Sequence, residues 1–219
     1  VSYADQIKMN EGVPVFVTAT EEHHFKVTVD QLEAARTDKT KVLLLNSPSN
    51  PTGMIYSREE LEAIGNWAVE HDLLILADDI YGRLVYNGNT FTPISSISES
   101  IRQQTIVING VAKAYAMTGW RVGYAVGNPE IIAAMGKIIG QTTSNLTTVA
   151  QYAAIEAFTG PQDTVETMRQ AFEERLNTIY PLLAEVPGFE VVKPEGAFYL
   201  FPNVKKAMEM KGFTDVTEF

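Results

Sequence analysis

"LLILADDIY", residues 73–81, is an apolar run of strand length that stops on two acidic residues and a tyrosine. A strand with one face in water alternates apolar and polar positions. An unbroken apolar run means that both faces are covered, as in a parallel sheet flanked by helices. The same kind of run recurs on either side. "KVLLL" (41–45) precedes it and leads into the turn-rich "NSPSNPTG", while "TIVIN" (105–109) and "VGYAV" (122–126) follow. Between the first two runs lies "SREELEAIGNWAVEH", where Ser57 and Glu60 have capping-box spacing, so a helix is predicted to begin there. Helical periodicity returns at 129–139, at 147–158 and from about 162 to 185. Strand, helix and strand in alternation predict an α/β fold of three layers, a mostly parallel sheet with helices outside it.

Nearer the start, "SYADQIKMN" reads as an amphipathic helix, "VPVFV" (13–17) as a strand, and "DQLEAAR" after Thr28 as a short helix. Past Pro187 the pattern shortens to "FEVV" and "AFYLF", expected to be strands of a smaller α+β domain reached along the long helix. The expected organisation is a large domain over 1–172 and the opening of a small one over 173–219.

The composition, 45% hydrophobic and 20% charged over 219 residues, is that of a chain that folds around an apolar core. A net charge of -10 argues against non-specific nucleic-acid binding. No apolar run approaches the ~20 residues that a membrane helix needs, and no secretion signal opens the chain. With no cysteine, disulfides and thiolate metal sites are excluded, and a cytoplasmic enzyme fits. His23, His24 and His71 have no metal-ligand spacing. The chain opens on Val1 rather than methionine and stops inside "GFTDVTEF", so a piece of a longer protein is expected.

In open α/β sheets, ligands sit beyond the carboxyl ends of the strands. Asn50 follows the strand at 41–45, Asp78 closes the one at 73–78 with Tyr81 three residues on, and Lys113 follows the one at 105–109. In "NGVAKAYAMTGWR" (109–121), Lys113 is a lone amine among small and apolar residues, with Arg121 eight positions on. An amine that loses its proton in such surroundings can attack an aldehyde. An arginine fork suits a phosphate. A strand-end carboxylate can keep a ring nitrogen protonated, and Tyr81 and Asn50 can both bond a phenolic oxygen. Aldehyde, phosphate, pyridine nitrogen and phenolate together describe pyridoxal 5'-phosphate (PLP). Taken singly, each residue has an ordinary reading: Asn50 as turn chemistry, Tyr81 as packing, Lys113 as a surface loop. Asp79 is the rival to Asp78, and alternation turns it outward or leaves it in the loop. Tyr115 and Trp120 read as core or interface aromatics, and Arg83 as a solvated charge.

These stretches resemble the class I/II aminotransferases of fold type I, most of all the bacterial aspartate aminotransferases. "NSPSNPTG" is similar to that family's N-P-T-G turn, which implies that Asn50 contacts the cofactor's ring oxygen. "ADDIYGRLVY" resembles its D-x-x-Y strand end, implying Asp78 for the pyridine nitrogen and Tyr81 for the ring oxygen. "KAYAMTGWRVGY" resembles the segment carrying the imine-forming lysine, here Lys113, and the phosphate arginine, here Arg121. "PEGAFYLFP" (194–202) is similar to the opening of the small domain, and "GQTTSNLTTVAQYAA" to a stretch near a subunit interface. The resemblance runs over nearly the whole chain.

It implies PLP-dependent transamination between an amino acid, aspartate or a similar one, and a 2-oxo acid, by a homodimer. Lys113 would hold the cofactor, be displaced by substrate and then shuttle a proton. A PLP-dependent C–S lyase, and the aminotransferase-like sensor domain of a transcription regulator, share the fold and stay open. The chain also departs from the pattern. Ala112 stands where the family often has a phosphate-binding serine. The phosphate-cradling loop and the ring-stacking aromatic would precede Val1, and the arginine for the substrate carboxylate would follow Phe219. The chain alone is therefore expected to be inactive.

Overall fold

In the computed structural model, which describes residues 2–219, the chain divides after Thr40 into two units. The first holds two short helices, α1 (Tyr3–Met9) and α2 (Val29–Ala35). A reciprocal capping box starts α2. Thr28 Oγ1 accepts from the Gln31 amide at 3.3 Å, and Gln31 Oε1 accepts from the Thr28 amide at 2.9 Å. The expected strand at 13–17 is not formed. Val13, Val15 and Phe16 are exposed and belong to no strand, and Pro14 removes one donor that a ladder would need.

The second unit carries the sheet. In chain order it contains β1 (Val42–Asn46), α3 (Arg58–Glu70), β2 (Leu74–Asp78), α4 (Glu99–Gln103), β3 (Thr105–Gly110) and β4 (Gly123–Val126). Four more helices follow: α5 (Pro129–Thr142), α6 (Thr148–Thr159), α7 (Asp163–Ala184) and α8 (Lys205–Lys211). The strands lie in sequence order. β1, β2 and β3 are parallel, and β4 runs antiparallel to β3. A parallel neighbour needs a long crossover, whereas residues 111–122 contain only turns and a short 3-10 segment, so the chain doubles back. The fold is the α/β arrangement with a mostly parallel sheet that the apolar runs imply.

Register is what positions the site. Asn46 pairs with Asp78, and Asp78 with Ile108, so β1 and β2 finish level at their carboxyl ends and β3 runs two residues further, to Gly110. α3 begins at the expected cap, where Ser57 Oγ accepts from the Glu60 amide at 3.2 Å and Glu60 returns the bond to the Ser57 amide at 2.7 Å. Its buried stripe of Leu61, Ile64, Gly65, Trp67 and Ala68 faces β2 and α4. Gly65 is required there because a Cβ would lie 2.5 Å from the Ile101 side chain.

Neither "FEVV" nor "AFYLF" becomes a strand. Glu190 forms one isolated bridge with Asn203, and Gly196 another with Val85. The backbone donors just before the second stretch, and that of its first residue, are taken by loops. Glu195 and Gly196 both donate to the Gly53 carbonyl, at 3.0 and 2.8 Å, and Ala197 donates to Leu84 at 2.9 Å. This segment packs with α7 against the chain that follows β2: Tyr81, Leu84, Tyr86, Leu176 and Ala197 form one buried cluster. Arg169 of α7 reinforces the junction, pairing with Glu166 and Glu173 at 2.8 Å each and donating to the Val85 carbonyl at 3.1 Å.

Candidate active site

The carboxyl ends of the three parallel strands feed three loops, and hydrogen bonds tie the first two together. Asn46, the last residue of β1, donates from Nδ2 to the Asp78 carbonyl at 2.9 Å and accepts from the Asn50 amide at 2.9 Å on Oδ1. One side chain thus fixes the start of the 47–53 turn against the end of β2. The turn closes through Gly53, whose φ of +70° suits glycine, with its amide donating to Ser49 at 2.8 Å. Ser47–Pro48 and Asn50–Pro51 are both cis.

Asp78 ends β2 half-buried, with Oδ1 accepting from the Ile80 amide at 3.2 Å. Tyr81 follows, only 3% exposed, and its hydroxyl lies 2.6 Å from that of Tyr199. Asn50 Nδ2 donates to the Tyr199 hydroxyl at 3.3 Å. Burial pushes the Tyr81 phenol above its ordinary range.

Lys113 lies in the turn after β3. Its Nζ is 5.8 Å from the centre of the Tyr81 ring and 5.3 Å from that of Phe198. Among the described residues, no carboxylate pairs with this amine. Arg121 caps the 118–120 turn in the left-handed conformation, exposed, with Nη1 donating to the Thr118 carbonyl at 3.0 Å. It too has no carboxylate partner among the described residues.

Of the five residues singled out from the sequence, Asn50, Tyr81 and Lys113 therefore converge, and Asp78 ends the adjoining strand. No hydrogen bond or ion pair joins Arg121 to them. Two further residues belong to the cluster. Asn46 had a signal, since it ends a parallel strand as Asp78 does. Tyr199 had none beyond the "PEGAFYLFP" stretch in which it lies.

Asp79 differs from expectation. It lies in the loop, as one alternative held, but it is buried to 6% exposure instead of facing water. It lines a separate cavity of about 220 Å³ together with Arg83, Asn109, Tyr115, Tyr124 and Phe158. No hydrogen-bond donor reaches its carboxyl among the described residues. Burial first, and the neighbouring Asp78 charge second, raise its pKa to about 7.

The donor set matches the groups of PLP in kind: an amine between aromatic walls, a strand-end carboxylate, two donors for a ring oxygen, and a guanidinium not held by an acid. The family model for aminotransferase class I and II matches residues 1–217. The chain belongs to the class I and II aminotransferases. Enzymes of this family are PLP-dependent. An asparagine–oxo-acid transaminase of Streptococcus mutans is 82% identical over all of this aminotransferase chain, which covers 56% of that relative. The aspartate aminotransferase of Bacillus subtilis is 53% identical over the same span, again with 56% of its length covered. Among solved structures, the aspartate aminotransferase of Rhizobium meliloti superposes with a TM-score of 0.91 at 37% identity, over 94% of this chain and 52% of that one. The aminotransferase chain spans about half the length of the curated relatives it matches.

Proposed function

We propose that the protein carrying this chain transfers an amino group between an amino acid, asparagine or aspartate, and a 2-oxo acid, with PLP as cofactor. The observation that carries the reading is the convergence of Lys113 with Tyr81 and Asn50 at the carboxyl ends of the parallel strands. The names of the similar proteins supply the substrate class.

When bound, PLP supplies an electron sink for the pair left at the substrate Cα as its proton departs. Lys113 holds the cofactor's aldehyde carbon until substrate replaces it. Its freed Nζ would then take the proton from Cα and deliver it to the cofactor's former aldehyde carbon, as a general base and then a general acid. The rings of Tyr81 and Phe198 flank that amine, with their centres 5.8 and 5.3 Å from Nζ. Asp78 holds a proton on the ring nitrogen through a charge-assisted bond, and Arg121 takes the phosphate. Asn50 and Tyr81 donate to the ring oxygen.

The proposal includes a large PLP-binding domain over 1–172 and the opening of a small domain over 173–219, with α7 running between them. It also includes a cytoplasmic homodimer. No helix among the described residues is long and apolar enough to cross a membrane. The test offers asparagine and aspartate separately, each with a 2-oxo acid, to the full-length PLP-loaded protein and follows the new amino acid. Transfer from at least one of the two donors is expected. Elimination from a sulfur amino acid, without transfer, would point instead to a C–S lyase.

A further inference from the structure

Tyr199 stands between two of the residues assigned to the cofactor's ring oxygen, and its own hydroxyl is doubly engaged. Asn50 Nδ2 has only protons to give, so at 3.3 Å the Tyr199 oxygen is the acceptor. At 2.6 Å the hydroxyls of Tyr199 and Tyr81 share one proton between them, and one must donate to the other. Accepting from Asn50 makes the Tyr199 hydroxyl the better donor, because bonds in a chain polarise one another. The favoured direction therefore runs from Asn50 through Tyr199 to Tyr81. The Tyr81 proton then points away from Tyr199. Burial of the Tyr81 ring and edge-on contacts with Phe198 and Tyr199 hold this geometry, with ring centres 5.4 and 5.7 Å away.

We propose that Tyr199 is a positioning residue that orders a hydrogen-bond relay, Asn50 to Tyr199 to Tyr81, with no proton transferred along it, and so sets the strength with which Tyr81 donates to the cofactor's ring oxygen. The inference rests on the proposed function above. Neither the N-P-T-G turn nor the D-x-x-Y strand end contains this residue.

The sign of its effect follows from charge. A strong donor to the ring oxygen withdraws negative charge that would otherwise help hold a proton on the adjacent nitrogen of Lys113. Weakening that donor makes the nitrogen hold its proton to higher pH. Removing the Tyr199 hydroxyl leaves Tyr81 in place but without the donor that Tyr199 supplies, so the pH midpoint of the visible absorbance change should rise.

The experiment titrates the visible band of the full-length PLP-loaded protein, unaltered and as Tyr199→Phe and Tyr81→Phe. The Tyr199→Phe midpoint should rise by about half a pH unit, on the order of a threefold change in proton affinity. Tyr81→Phe should raise it further. A ring-fluorinated tyrosine at position 199, a stronger donor of the same shape, should lower the midpoint. That opposite shift is one that altered packing would not produce, and it remains informative if Tyr199→Phe folds poorly. Midpoints unchanged by both replacements at 199, with Tyr81→Phe shifted, would overturn the relay and leave the proposed function standing. Failure of the unaltered protein to develop a PLP band at all would overturn both.

Discussion

The amide of Gly196 donates to the carbonyl of Gly53 at 2.8 Å, pinning the segment that carries Tyr199 onto the turn that carries Asn50. The approach leaves no room for a side chain on either residue. A Cβ on Gly53 would lie 2.6 Å from the Gly196 oxygen and 2.6 Å from Pro194 Cβ, and one on Gly196 would lie 2.8 Å from the Leu84 oxygen. Two distant stretches of sequence thus meet because glycine allows backbone to touch backbone.

Gly53→Ala should consequently destabilise the protein by roughly 2–4 kcal/mol, combining a left-handed backbone with steric overlap. Gly88 provides the control. Its φ of +77° is similar, but nothing lies within 4 Å of a Cβ there. Gly88→Ala should cost only ~1 kcal/mol, the backbone share alone. Urea unfolding of the two variants decides the matter, and equal losses would contradict the close approach.

Asp78 and Asp79 are adjacent in sequence but serve different surroundings. Asp78→Asn should lower kcat/KM for transamination by roughly a hundredfold or more, ~2.7 kcal/mol of barrier, through loss of the charged bond to the ring nitrogen. Asp79→Asn should leave turnover within a few-fold of the parent. Steady-state kinetics on both full-length variants tests the pair, and comparable losses would place both carboxylates in the chemistry.

Stability should respond to pH through Asp79. Its folded pKa of about 7 lies above the ordinary 3.8, so the folded state keeps a proton that the unfolded chain has released. Between about pH 4 and pH 7 the unfolded state binds fewer protons. This residue's contribution therefore falls as pH rises, and it levels off once the buried carboxyl ionises. Asp79→Asn removes the charge and should stabilise the protein at pH 8 by an amount on the order of a few kcal/mol, with little change at pH 4. Urea midpoints at the two pH values measure this, and a pH-independent difference would contradict it.

At the cap of α3, Ser57→Ala should cost about 1 kcal/mol, since the serine oxygen satisfies the Glu60 amide. Activity should be unaltered, because α3 packs on the sheet and holds none of the site residues. A drop in kcat without a change in PLP affinity would show that α3 reaches the chemistry.

Much of this was legible in the chain itself, for identifiable reasons. Unbroken apolar runs such as 73–77 have one stable setting, a sheet covered on both faces, and the cap at Ser57 is a local feature that needs no tertiary partner. Strand ends then named Asn50, Asp78 and Lys113, because in such sheets the loops beyond the carboxyl ends are the places a ligand can reach. What failed was whatever depended on a partner. Residues 13–17 and 197–201 have strand composition, but a strand exists only where a neighbour supplies a ladder, and the donor of Ala197, like those of Glu195 and Gly196 just before it, goes to a loop. The burial of Asp79 was hidden for a similar reason: alternation says which way a residue points, not what covers it. Tyr199 looked like any tyrosine in an apolar segment until the fold placed its hydroxyl beside Tyr81.

The central claim is that Lys113 is the amine that bonds the cofactor. Borohydride reduction of the full-length PLP-loaded protein, followed by peptide mass spectrometry, tests it most directly. The account predicts the pyridoxyl label on Lys113 alone, with Lys113→Ala losing both label and visible band while keeping its fold. Recovery of the label on Lys41 or Lys137, with Lys113 unmodified, would contradict it.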